Sequence, residues 1–132
     1  MSQLHAYLNL AGRCREAMLF YQECLGGELS LLPVEDSPMA DQCPPHLGKH
    51  ILHASLIQDS LALLGSDMGG PGEGAPESPV SLALSCDSED SLRRQFDRLA
   101  EGGTVQQPVH AFFDGWIGSL IDRFGIHWIL KQ

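Results

Sequence analysis

The chain holds six histidines and four cysteines. Together with its hydroxyls, these are the residues that could ligate a metal, attack a substrate or move a proton. Cys14, Cys24, Cys43 and Cys86 contain no CxxC pair, which removes a zinc ribbon and a thioredoxin-type redox site. Reduced thiols are expected, with Cys86 in the core because it ends the apolar run VSLALSC. Cys43, beside two prolines in DQCPPH, is expected to be exposed. His46 and His50 would share a face only on a helix, and Pro44, Pro45 and Gly48 disfavour one there. His50 and His53 are three apart, which points them to opposite faces of a strand, and both read as polar loop side chains. His5 and His127 are better placed to touch a ligand. No Ser-His-Asp or Cys-His arrangement can be argued, and GGPGEG precedes no helical pattern, so there is no phosphate-cradling loop.

The elements that must position these residues follow from periodicity. LHAYLNL, residues 4–10, alternates as a strand, with Leu4, Ala6, Leu8 and Leu10 on one face and His5, Tyr7 and Asn9 on the other. CREAMLFYQECL carries an apolar stripe through Ala17, Met18, Tyr21, Cys24 and Leu25, and Gly26-Gly27 stops this helix. ELSLLPV reads as a strand, residues 35–48 as a polar loop, and HILHASLI and SLALLGS as two strands joined at Gln58-Asp59. Residues 67–79, rich in glycine and proline, form a linker.

The second half repeats the first. VSLALSC is a strand, and Asp87 or Ser88 caps a helix with an apolar stripe of Leu92, Phe96 and Leu99, stopped by Gly102-Gly103. TVQQPV, GWIGSLI and IHWILK are the remaining strands. Phe20 and Phe96 are 76 apart, as are the two glycine pairs and Leu8 with Leu84. Ser55-Leu56-Ile57 aligns with Ser119-Leu120-Ile121, and Leu63-Leu64 with Ile129-Leu130. The prediction is an α+β domain of two tandem βαβββ modules, 1–66 and 80–132, whose curved eight-stranded mixed sheet surrounds a cleft. Alternation aims His5, Tyr7, Asn9, Leu61 and Leu63 of the first module into that cleft, and Ser81, Ala83, Ser85, His127 and Ile129 of the second.

Composition narrows the partners. Eight basic against 17 acidic residues give a net charge of −9, which excludes phosphate-rich nucleic acid and anionic membrane surfaces. No apolar run approaches the roughly 20 residues that span a bilayer. The opening MSQLHAYLNL lacks a basic and then apolar leader, so a cytoplasmic location is expected.

YLNLAGRCREAMLFYQECLGGEL, MADQCPPHLGKHILHASL and FFDGWIGSLIDRFGIHWIL together resemble the PhnB-like branch of the vicinal oxygen chelate superfamily. That superfamily includes glyoxalase I, extradiol dioxygenases and the bleomycin and fosfomycin resistance proteins. The resemblance implies a bacterial protein with the glyoxalase/bleomycin-resistance-like fold, paired as a homodimer edge to edge or by module exchange. Metal-using members take one ligand from the first and fourth strand of each module. On this chain those positions are His5, Leu63, Ser81 and Ile129, where only His5 is a plausible ligand, and the positions of the usual glutamate base are apolar. No metal or other cofactor is therefore expected.

The expected function is binding of a small molecule in a cleft lined by His5, Tyr7, Asn9, Leu63, Ser81, Ser85, Trp116, His127 and Ile129. The alternative is a divalent-metal lyase, isomerase or dioxygenase of the glyoxalase type, and a third reading is an interaction module with a vestigial cleft. Phe112, Phe113 and Trp116 stand where this branch often has Phe-Trp-Gly, as either a hydrophobic lid or an aromatic wall for a ligand. Some related sequences carry a demethylubiquinone methyltransferase label, but the glycine-rich loop and larger sheet of such an enzyme are not visible here.

Overall fold

The computed structural model describes residues 5–38, 40–42, 44–67 and 80–132. The expected linker lies outside the described residues except for Asp67, and so does Cys43. The chain divides into two compact units, 1–75 and 76–132. No helix among the described residues is long and apolar enough to cross a membrane.

The first unit contains β1 (Ala6–Asn9), α1 (Cys14–Leu25), β2 (Glu28–Pro33), β3 (Ile51–Gln58) and β4 (Leu61–Ser66). Its sheet has the order β1-β4-β3-β2, with β1 parallel to β4 and the other pairs antiparallel. α1 forms where the stripe was expected and buries Cys14, Ala17, Met18, Tyr21, Cys24 and Leu25. Each of the larger side chains contributes about 1.5–3 kcal/mol by leaving water. They meet Leu8, Ile51, Ala54, Leu56 and Leu63, which complete the core of this unit.

No side chain next to α1 caps it. The Asp67 carboxylate instead arrives from the end of β4, where Oδ1 accepts from the Gly12 and Cys14 N–H groups at 2.8 and 2.7 Å. Its Oδ2 accepts from the Ile51 N–H at 2.8 Å. One anion thus satisfies donors at the positive end of the helix and at the start of β3. At the other end Gly27 takes φ 103, and an added Cβ would stand 2.8 Å from the Ile57 carbonyl oxygen, so the turn into β2 requires glycine. The stretch expected as a polar loop, residues 35–48, contains short 3₁₀ turns at Ala40–Gln42 and Pro45–Leu47, and a third at Val34–Asp36 overlaps its start.

The second unit has the same order: β5 (Leu82–Ser85), α2 (Glu89–Ala100), β6 (Thr104–Phe112), β7 (Gly115–Ile121) and β8 (His127–Lys131). The sheet order is β5-β8-β7-β6, with β5 parallel to β8. Here Ser88 is the helix cap, its Oγ accepting from the Ser91 N–H at 3.1 Å, while Glu89 and Asp90 occupy the first turn. Leu92, Phe96 and Leu99 are buried with Leu120, Trp128 and Leu130. Gly118 lets the helix sit close to β7, because a Cβ there would come within 2.8 Å of the Phe96 ring. β6 runs through Pro108 to Phe112, well past the expected TVQQPV, and register shifts on both sides of Gln107 absorb the proline. The two βαβββ units in an α+β fold are as expected.

Candidate functional site

Each helix packs on one face of its own sheet, and the opposite face, the open face, carries most of the exposed strand side chains among the described residues. In the first unit the register runs Tyr7–Leu64–Ser55–Ser30 across β1, β4, β3 and β2 on the open face. Ala62, Ile57 and Glu28 form the adjacent row on the same face. Tyr7 is 51% exposed, and Asn9 is exposed as well, as alternation predicted. His5 is exposed immediately before β1.

Leu63 corrects the sequence reading. It pairs with Ala6 and Leu56 on the helix-covered face and is only 4% exposed. Leu64 takes the position assigned to it on the open face, and Leu61 likewise falls on the covered side with Leu63. SLALLGS is apolar at successive positions, so alternation could not tell its two faces apart. Ile129 pairs with Ala83 and Ser119 just as Leu64 pairs with Tyr7 and Ser55, which makes Leu64 its counterpart.

His53 is the residue that sequence reasoning missed. It lies within β3, exposed, with its ring centroid 6.3 Å from that of Tyr7 and the planes tilted by 39°. β4 runs between β1 and β3, so the two side chains lean toward each other over it. Counting back by twos from Ser55 would have found His53. The same count misplaces Ile51, because an irregularity at Leu52 turns Ile51 into the core.

In the second unit the open-face rows are Ala83–Ile129–Ser119–Gln107 and Ser85–Lys131–Ile117–His110. Ser81 precedes β5 and is exposed, and His127 is half-buried opposite Ile121. Ser85, His127 and Ile129 therefore share one face of the sheet, and Ser81 lies just before β5. Trp116 does not join them. Its position alternates with buried Gly118 and Leu120 on the helix side, and the Arg93 guanidinium of α2 lies 5.1 Å from its ring centroid. Phe112 and Phe113 meet edge to face at 4.5 Å at the β6–β7 turn, with Phe113 90% exposed.

The metal positions implied by the resemblance do not fit a metal. In the first unit they hold His5 and, with the corrected register, Leu64; in the second, Ser81 and Ile129. Two aliphatic side chains have no donor to replace the water around a divalent ion. Among the described residues, no group of three or more His, Cys, Asp or Glu side chains is placed to hold one.

Neither Cys14 nor Cys86 is placed as a ready nucleophile. Burial first, and then the Asp67 carboxylate, push the Cys14 thiol up to about 12. Burial and Asp87 also raise Cys86, whose Sγ donates to Gln95 Oε1 at 3.3 Å; it is half-buried and not in the core as expected. Since the thiolate is the reactive form, Cys14 should resist iodoacetamide at pH 8 and be alkylated only in denaturant. Rapid labelling of Cys14 in the folded protein would contradict this. Its folded pKa lies above the usual 9.0, so its contribution to stability holds below pH 9 and is lost as the pH rises toward 12.

No family model matches the chain. It is 28% identical to protein YjdN of Escherichia coli K12, over 97% of this chain and 93% of that one. Protein PA1353 of Pseudomonas aeruginosa is 37% identical with a TM-score of 0.81, covering 99% of this chain and 97% of that one. A PhnB protein from Bacillus cereus, also described as a 3-demethylubiquinone-9 3-methyltransferase, gives 0.76 at 21% identity over 98% of both chains. A glyoxylase/bleomycin resistance protein/dioxygenase domain from Frankia sp. EAN1pec gives 0.59 at 21% identity, over 99% of this chain and 91% of that one.

Proposed function

We propose a function from one premise: this chain belongs to the PhnB-like branch of the vicinal oxygen chelate superfamily. It binds a small organic molecule on the open faces of its sheets, and it does so without the divalent metal used by the superfamily's enzymes. The observation that carries this reading is the pairing of aliphatic Leu64 and Ile129 at metal positions with polar neighbours suited to orient a ligand. Those neighbours are Tyr7, Asn9 and Ser55 in one unit and Ser85, Ser119 and His127 in the other. A site of apolar floor and a few convergent polar groups is the usual composition of small-molecule sites. In this reading the protein works in the cytoplasm as a homodimer and has no nucleic-acid or membrane partner, in keeping with its net charge of −9.

The test is a thermal-shift screen of small metabolites followed by calorimetry on the compound it identifies. Each oriented hydrogen bond contributes about 0.5–1.5 kcal/mol, so Tyr7→Phe or His127→Ala should weaken binding by up to about tenfold. Neutralising Glu89 and Asp90 on α2 should change little. Loss of affinity in the helix variant with the face variants intact would overturn the placement. Elemental analysis finding near one equivalent of zinc, nickel or manganese, lost on His5→Ala, would favour the metal-enzyme alternative.

A further inference from the structure

The two open faces differ in what stands over the fourth strand. The second unit has Ala83 and Ile117 at the positions where the first has Tyr7 and His53. In the first unit the phenol and imidazole rings, 6.3 Å apart, form a partly exposed aromatic ridge across β4. Leu64 and Ile57 add apolar area on the same face, and Asn9, Ser55 and Ser30 add hydrogen-bonding groups beside it.

Charge gives the second observation. The chain carries 17 acidic residues, yet the paired open-face positions of the first sheet include only Glu28. That residue stands on the edge strand β2, in the row of Ile57 and Ala62 and outside the row of Tyr7. A ligand ammonium lying along the Tyr7 row would give up water and find no carboxylate in return. A ligand carboxylate would find the Tyr7 hydroxyl, the Asn9 amide, the serine hydroxyls and the His53 imidazole, all able to donate.

Resting on the reading that ligands bind the open faces, we infer that the first unit takes a small aromatic anion, in chemical class an aryl carboxylate. Its ring lies against Tyr7 and His53, which offer contact area at little cost in side-chain freedom. Its carboxylate lies along the row of Leu64, Ser55 and Ser30, where hydroxyl donors replace its water.

Two-dimensional amide NMR of the full chain, titrated with benzoate, benzylamine and cyclohexanecarboxylate, tests this. Benzoate should shift the amides of Tyr7, His53, Ser55 and Leu64. Benzylamine, cationic at neutral pH, should shift none of them, and cyclohexanecarboxylate should bind at least threefold more weakly than benzoate. His53→Ala should weaken benzoate at least fivefold. Leu64→Asp should abolish its binding, whereas the neutral Leu64→Asn should retain it within threefold, and the spectrum of each variant reports whether it is folded. The inference is overturned if benzylamine or cyclohexanecarboxylate binds as tightly as benzoate, or if benzoate is indifferent to both His53→Ala and Leu64→Asp. If benzoate leaves the open face unshifted while a screened compound binds there, the ligand class is wrong and the small-molecule reading stands. If every ligand shifts only the helix sides, both fall.

Discussion

Asp122→Ala should destabilise the protein by about 3 kcal/mol or more, enough to remove a large part of an ordinary domain's stability. Asp122 is 3% exposed and closes the turn between β7 and β8. Its Oδ1 accepts from the Phe124 and Ile126 N–H groups at 2.8 and 3.0 Å, and its Oδ2 from the Trp128 indole N–H at 2.9 Å. Alanine removes three hydrogen bonds at once, the one from the Trp128 indole being buried, and each is worth about 1 kcal/mol or more. Relief of the buried charge offsets part of the loss. Asp122→Asn should fall between, because its amide can accept through one side only and turns a second donor toward its neighbours. Both tryptophans, Trp116 and Trp128, belong to the second unit, so fluorescence during urea unfolding follows the affected region. A loss below about 1 kcal/mol for the alanine variant would show that the turn holds without its carboxylate.

Two adjacent leucines should respond in opposite ways to the same change. Leu63 is packed against Leu56 under α1, so Leu63→Ala should cost about 2–5 kcal/mol and Leu63→Asp should prevent folding. Leu64, half-buried on the open face, should tolerate aspartate at a cost near 1 kcal/mol. Circular dichroism melts of the two aspartate variants decide the matter. If Leu64→Asp is the one that fails to fold, β4 is paired one residue out of this register.

The repeat was legible because it rests on residues with strong local meaning. The glycine pairs ending both helices, the buried stripes of Ala17, Tyr21 and Cys24 and of Leu92, Phe96 and Leu99, and the alternation around Leu8 and Leu84 each mark an element boundary or face. What escaped reading has a physical cause in each case. Leu63 and Leu64 are chemically alike, so only pairing to β1 and β3 assigns their faces. His53 lies beside an irregularity that breaks the period of two. Trp116 looked like a wall of the cleft, but its partner is Arg93, distant in sequence and chosen by the packing of α2. The cap of α1 was invisible for the same reason, since Asp67 lies 53 residues from the Cys14 N–H it accepts from. The face taken by Tyr7, Asn9, Ser85, His127 and Ile129 was legible because clean alternation surrounds them.

The two caps also bear on how separable the halves are. Repeated units of this kind are the expected product of tandem duplication, after which each copy drifts alone. The second copy carries its helix cap with it, in Ser88 directly before α2. The first borrows its cap from the far end of its own fold, at Asp67, so a fragment cut after Ser66 would contain every strand and helix of the unit and still lack the anion that holds its helix. The heritable boundary of the first copy is therefore set by one carboxylate beyond its last strand, and any recombination that shuffles such units must carry that residue along.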